Sequence, residues 1–168
     1  DAVVASLDAS LARLGTDHVA LYKMHYPDPA TPIAETLGAL DDCVRAGKVR
    51  AIGSSNFDAD QIAAAAAAAD ASKGAAFASA QNEWSLLARE VETDVVPACA
   101  LTGVSMIPYF PLASGLLTGK YRRGEPFAKG SRLGAMSYFA GVATEENFAR
   151  VEALEAIAKG AGRTLLEL

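Results

Sequence analysis

"VRAIGSSNFDADQIAAAAAAAD" spans residues 49–70, and the succession it encodes decides the fold class. Val49-Arg50-Ala51-Ile52-Gly53 is short, mostly apolar and β-branched at two positions, and reads as a strand. Ser55 and Asn56 follow where that strand stops. Asp58 stands at a helix N-cap position with Gln61 three residues on, the spacing of a capping box. The run Ala63 to Ala69 is low in complexity, but alanine is the best helix former, so it extends a helix and is no linker.

The same strand–turn–helix alternation continues on both sides. Towards the N-terminus, Asp1 to Leu14 carries Val3, Leu7, Leu11 and Leu14 at helical spacing, and Gly15 stops it. Val19 to Tyr22 reads as a fully buried, parallel-type strand. Lys23 ends it, and Met24, His25, Tyr26 and a Pro-Asp-Pro turn follow. Thr31 is expected to cap the next helix, with Pro32 at its first position and an end at Arg45 before Gly47.

Towards the C-terminus, a strand is expected over Phe77–Gln81, a helix over Asp94–Leu101 and a strand over Val104–Tyr109. A loop rich in Gly, Ser and Pro then runs from Phe110 to about Val142. Thr144 caps a periodic helix carrying Phe148, Val151, Leu154, Ile157 and Ala158, ended by Gly160 and Gly162, and a last helix begins near Thr164. Strands alternating with helices imply right-handed βαβ units and a parallel sheet, hence the α/β class, with four central strands in sequence order and open edges. No G-x-G-x-x-G run follows any strand, so a dinucleotide fold of the doubly wound type has no local support. His25, Ser55, Asn56, Gln81 and Tyr109 all fall just after strand ends, where parallel α/β barrels build their sites.

The 168 residues are 51% hydrophobic and 21% charged, a globular composition. The net charge of -5 offers no electrostatic case for nucleic acid or an anionic membrane as partner. Cys43 and Cys99 lie in apolar, helix-like stretches and are expected as buried thiols, which together with the lack of a leader or spanning segment points to a cytoplasmic protein. No cysteine or second histidine lies at ligand spacing from His25, so no metal is expected.

Five segments, in order, resemble the aldo-keto reductase family: Leu11 to Val19, "HYPDP" from His25, "GKVRAIGSSNF" from Gly47, "QNEWSLLAR" from Gln81 and "YFPLASGLLTGKY" from Tyr109. The resemblance implies a TIM-type (α/β)8 barrel that binds NADP(H) and reduces aldehyde or ketone carbonyls, with a small-molecule carbonyl compound as substrate. A complete barrel of this kind needs about 250 residues. Residues 1–168 are therefore expected to be a partial barrel domain, cut at both ends and holding roughly strands four to seven. The family's catalytic tyrosine, its lysine partner and an aspartate belong to the earlier strands, and this chain alone is expected to be inactive.

By that resemblance His25 donates to the substrate carbonyl, against the plainer reading of a core histidine with a structural hydrogen bond. Ser55, Asn56 and Gln81 are implied to bind the nicotinamide carboxamide, and Tyr109 to stack on the ring. The plainer readings are turn chemistry for Ser55 and Asn56 and core packing for Tyr109. Pro111, Leu112, Ser114 and Gly115 form a small-residue loop for a pyrophosphate, and Lys120 and Arg132 supply positive charge, unless they are merely solvated. Phe110 departs from the small polar residue common there. Trp84 either lies near the substrate loop or fills the core, and Tyr138 and Phe139 either face a substrate or pack beneath the loop. His18 reads as structural, and Glu35, Asp41 and Asp42 as the wet face of a helix. Two other functions keep the same fold: a non-catalytic nucleotide-sensing subunit and an inactive half-barrel.

Overall fold

A computed structural model describes residues 2–168. The chain divides into two compact units, one of residues up to Asn82 plus Glu90–Ile107, the other of Glu83–Arg89 plus Pro108–Leu168. Asp1, where the first helix was expected to start, lies outside the described residues.

The first unit alternates helix and strand: α1 (Ala2–Leu14), β1 (Val19–Lys23), α2 (Ile33–Arg45), β2 (Val49–Ser55), α3 (Ala59–Ser72), β3 (Phe77–Gln81), α4 (Val95–Thr102) and β4 (Ser105–Met106). The four strands form one parallel sheet in the order β1-β2-β3-β4, in register Val19↔Val49, Ser54↔Ala80 and Ala80↔Met106. The helices bury Leu7, Leu40, Cys43, Ile62, Ala65 and Cys99 in one cluster with Val49, Ile52, Phe77 and Ala80 of the strands. The capping box of α3 forms as the sequence requires: Asp58 accepts from the Gln61 N–H at 2.8 Å while Gln61 Oε1 accepts from the Asp58 N–H at 3.0 Å. Both cysteines are free and buried, and burial pushes both thiols up from their ordinary pKa.

Several expectations are corrected here. β1 is only half-buried, because it is an edge strand with one neighbour. Thr31 caps nothing. Its hydroxyl donates to Asp28 at 2.7 Å, and α2 starts from Pro32, whose carbonyl receives the first helical N–H groups. β4 shrinks to two residues, since Ile107 N–H still reaches Ala80 O but Pro108 has no N–H to extend the ladder. Leu14 is exposed although it shares the spacing of buried Leu7 and Leu11. Asp41 is no idle surface acid: it accepts from the Ala75 N–H at 2.8 Å and from Arg45 Nε at 2.6 Å, tying α2 to the turn before β3. His18 is structural as expected. Arg50 can only donate to its Nε2, at 2.9 Å, so Nδ1 donates to Asp17 at 2.7 Å.

The second unit is built from turns. A 3-10 stretch (Ala113–Thr118), two four-residue helices α5 (Arg132–Ala135) and α6 (Ser137–Ala140), and the long α7 (Glu145–Gly160) follow the Glu83↔Tyr109 bridge. The short helices lie in the stretch expected to be loop, where Ser131 caps α5 by accepting from the Gly134 N–H. Thr144 caps α7 through the Asn147 N–H at 3.1 Å. Phe148 and Val151 of α7 join Leu116, Leu117, Tyr121 and Leu133 in a core, whereas Ile157 faces solvent. The expected last helix is a single 3-10 turn, Leu165–Glu167, with Thr164 and Glu167 in a capping box.

Candidate functional site

In the first unit, the residues that end β1, β2 and β3 are joined by hydrogen bonds. The main-chain oxygen of Gln81 accepts from Ser55 Oγ at 2.8 Å and from the Asn56 N–H at 3.0 Å. Asn56 Nδ2 donates to the His25 carbonyl at 2.9 Å and to Ser55 Oγ at 3.2 Å. Asn56 adopts φ 60, a left-handed conformation that asparagine tolerates better than most residues and that turns the chain sharply after β2. The Asn56 side chain thus stitches the β2 turn to the β1 turn, and it is the backbone of His25 that is held. The imidazole is exposed, with its ring 4.6 Å from that of Tyr26. Turn chemistry is therefore present at Ser55 and Asn56, and it brings His25, Ser55, Asn56 and Gln81 to one end of the sheet.

Two members of this cluster carried no role in the sequence reading. Lys23 reaches from the end of β1 to donate to Oε1 of Gln81. A lysine interrupting an apolar strand was the available signal. Gly53 leaves room for it: a Cβ there would come within 2.9 Å of Lys23 Cγ and 2.8 Å of the Ser79 carbonyl oxygen. Asn82 donates to Phe57 O at 2.9 Å and is buried, a structural tie that nothing in its sequence context announces.

In the second unit, Phe110, Pro111, Leu112, Ser114, Gly115, Thr118, Lys120 and Arg132 line a cavity of about 410 Å³. All six residues expected at a pyrophosphate loop and its charges are among them. The loop is wound through left-handed backbone at Phe110, Ala113, Ser114 and Gly115, with φ between 47 and 98. Ser114 is buried, and Thr118 Oγ1 closes the turn by donating to Gly115 O at 2.7 Å. A side chain on Gly115 would meet Lys120 Nζ at 3.0 Å, so glycine lets the lysine fold back over the loop. Lys120 Nζ lies 5.0 Å from the Tyr121 ring centre, and the Arg132 guanidinium 5.0 Å from that of Phe139 and 5.9 Å from that of Phe110. Phe110, where a small polar residue is common, thus supplies a face for the arginine. Burial pushes the Tyr121 hydroxyl pKa up, but hydrogen bonds from Ser131 and the Leu133 N–H and the nearby Lys120 charge outweigh it, leaving it below the ordinary value.

Tyr109 belongs to this unit, half-buried, with its carbonyl accepting from the Trp84 N–H at 3.4 Å and its ring edge-on to Phe110 at 5.2 Å. Trp84 is half-buried in the same segment. Tyr138 is exposed and Phe139 packs beneath, and both line a second cavity of about 310 Å³ that shares Phe110 and Ser114 with the first. Among the described residues, no group of three or more His, Cys, Asp or Glu side chains is arranged to hold a metal, and no helix is long and apolar enough to cross a membrane.

The Aldo/keto reductase family model matches residues 1–168. The chain is 44% identical over 116 residues to "Aldo-keto reductase NECHADRAFT_45914" of Fusarium vanettenii, covering 69% of this chain and 31% of that protein. It is 43% identical over 114 residues to "Uncharacterized oxidoreductase YrpG" of Bacillus subtilis, covering 68% and 35%. With aldo-keto reductase yakc of Schizosaccharomyces pombe, named for NADP(+), it shares 38% over 133 residues, covering 77% and 37%. The chain thus spans about a third of the length of these relatives. Among solved structures, glycerol dehydrogenase AKR11B4 from Gluconobacter oxydans superposes with a TM-score of 0.76 at 28% identity, covering 97% of this chain and 48% of that one. The parallel strands alternating with helices are those of a TIM-type barrel.

Proposed function

Since this chain belongs to the aldo/keto reductase family, we propose that its protein is an NADP(H)-dependent oxidoreductase that reduces aldehyde or ketone carbonyls to alcohols. The observation that carries the proposal is the hydrogen-bonded cluster of His25, Ser55, Asn56 and Gln81 at the ends of successive parallel strands. The donors of Ser55 and Asn56 are bonded within the cluster, and these carboxamides and hydroxyl suit a ligand carboxamide by exchanging such bonds for ones to its donor and acceptor edge. In the second unit, Lys120 and Arg132 beside a left-handed small-residue loop suit a pyrophosphate, and this supports the nucleotide half of the reading. The NADP(+) in the name of the yeast relative points to the phosphorylated cofactor.

In this reading Ser55, Asn56 and Gln81 orient the nicotinamide carboxamide, and Tyr109 covers one ring face. Pro111, Leu112, Ser114 and Gly115 bring backbone close to the phosphates, whose charge Lys120 and Arg132 offset. The cofactor, when bound, supplies the hydride. His25 donates a hydrogen bond to the substrate oxygen and so polarises the carbonyl, and its exposed imidazole is accessible for that task. The test, run on the protein at the full length of its relatives, is NADPH absorbance decay with an aromatic aldehyde, paired with NADPH titration. His25→Ala is expected to lower turnover by about 10²-fold while leaving cofactor affinity nearly unchanged. Tyr109→Ala is expected to weaken cofactor binding first. In that full-length protein, absence of NADPH binding would overturn the proposal, and binding without any turnover would favour the nucleotide-sensing reading.

A further inference from the structure

Lys23 has no part in the roles assigned above, yet its Nζ donates to Oε1 of Gln81. An ammonium group has three donors and no acceptor, so only the oxygen of the Gln81 carboxamide can face it. That fixes the amide: with Oε1 turned to Lys23, the other edge of the side chain carries only N–H donors. The glutamine is anchored at its other end as well, its main-chain oxygen taking the Ser55 hydroxyl and the Asn56 N–H. Gly53, between Lys23 and Ser79, makes the lysine's path possible, because any side chain there would collide with its stem.

We propose that Lys23 is a positioning residue that locks the Gln81 carboxamide with its N–H edge towards a ligand carbonyl oxygen. The inference rests on the cofactor reading above, in which that oxygen belongs to the nicotinamide carboxamide. An amide has nearly the same shape with its oxygen and nitrogen exchanged. Without the ammonium, Gln81 can turn over and offer its oxygen to a ligand N–H instead. Lys23 therefore sets which atoms of the ligand are recognised.

The experiment titrates the full chain with NADPH and with its 3-acetylpyridine analogue, which keeps the carbonyl oxygen but has no N–H to donate. The unaltered chain is expected to bind the two within about threefold of each other, because Gln81 donates to an oxygen that both possess. Lys23→Met is expected to weaken the analogue about 5- to 10-fold relative to NADPH, because a reversed amide accepts from a ligand carboxamide and finds nothing to accept from in an acetyl group. Lys23→Arg restores the original ratio. Gln81→Glu, which keeps a partner for Lys23 but removes the N–H edge, discriminates against the analogue in the same sense. Without any ligand, nitrogen relaxation of the Gln81 side-chain NH₂ is expected to show it ordered in the unaltered chain and in Lys23→Arg, and mobile in Lys23→Met. An unchanged binding ratio and an unchanged NH₂ order in Lys23→Met overturn the proposal. An NH₂ group that loosens in Lys23→Met, in a chain that binds neither nucleotide, supports the clamp and overturns the cofactor reading.

Discussion

The two units hold themselves together by different means. In the first, Leu40, Ile52, Phe57 and Ile62 are almost wholly buried between regular helices and a parallel sheet, and the polar groups at the strand ends are fixed because the strands beneath them are fixed. In the second, a smaller core of Leu116, Leu117, Phe148 and Val151 is joined to a loop whose backbone turns left-handed at Phe110, Ala113 and Ser114, and charged side chains pair over its surface. Arg123 pairs with Glu145 and Glu152, Arg122 with Glu155, and Arg132 rests on two phenyl rings. Apolar burial is worth roughly 25 cal/mol per Å², whereas exposed ion pairs contribute about 0–1 kcal/mol. The first unit should therefore be most sensitive in its core, and the left-handed loop of the second in its backbone conformation.

The largest expected effect is in the first unit. Phe57 is 2% exposed and sits edge-on to Phe77 at 5.6 Å, just below Asn56. Phe57→Ala removes a buried ring and leaves a cavity, at a cost of about 3–5 kcal/mol. Denaturant unfolding should show the midpoint falling sharply. A shift below about 1 kcal/mol would mean that the core collapses around the gap, and that the contrast with the second unit is overdrawn.

Asp58→Ala tests the next level of the same unit. The capping box satisfies two N–H groups at the start of α3, so its loss should cost about 1 kcal/mol. Because α3 is alanine-rich with a weak apolar stripe, its start is set locally, and amide exchange over Ala59–Ile62 should quicken before the rest of the helix.

These same features explain what was legible in the sequence. The Asp58–Gln61 cap, the strand order and the buried cysteines follow from local spacing and period, and each is in the structure as expected. The bounds of β4 were not legible from apolar content, because Pro108 ends the ladder by lacking a donor. Helices α5 and α6 were hidden for a different reason: four residues carry too little period to separate from a Gly/Ser loop. At the site, the positions of Ser55, Asn56 and Gln81 were readable as strand-end residues. The Lys23–Gln81 bond was not, since it joins residues of β1 and β3 that meet only across β2.

In the second unit the sign of a mutation should reverse. Ser114 is held at φ 55, where a residue with a Cβ is disfavoured by about 1–2 kcal/mol. Glycine is at ease there, although it loses about 0.5–1 kcal/mol of unfolded-chain entropy, so Ser114→Gly should leave stability unchanged or raise it by up to about 1 kcal/mol. If the loop serves a phosphate, the same change should weaken NADPH binding by removing a buried hydroxyl at the cavity wall. A clear loss of stability would show that Ser114 fastens the loop by its side chain, and the distinction between core-held and backbone-held units would blur.

The smallest difference sets one exposed carboxylate of each unit against the other. Asp28 accepts from the Thr31 hydroxyl at 2.7 Å and the Ala30 N–H at 2.9 Å, and the Thr31 bond chiefly, then the Ala30 bond, lowers its pKa below the ordinary 3.8. Glu167 accepts from the Thr164 N–H and hydroxyl, both at 2.8 Å, and these lower its pKa below 4.5, the backbone bond most. A lowered folded-state pKa means that the carboxylate favours the folded turn at pH above the ordinary value. That contribution is lost as pH falls through the lower, folded value, because protonation takes charge from the acceptor. Both groups are fully exposed, so global unfolding should barely register either titration. Local probes should register both. Carboxyl carbon shifts followed by NMR on acidification should give midpoints below 3.8 for Asp28 and below 4.5 for Glu167, with the Ala30 and Thr164 amide protons moving in step. Thr31→Val should return Asp28 most of the way to its ordinary value and leave Glu167 where it was. A midpoint for Asp28 that ignores Thr31 would mean that the hydroxyl does not hold the turn beside His25, and that the turn is set by its two prolines alone.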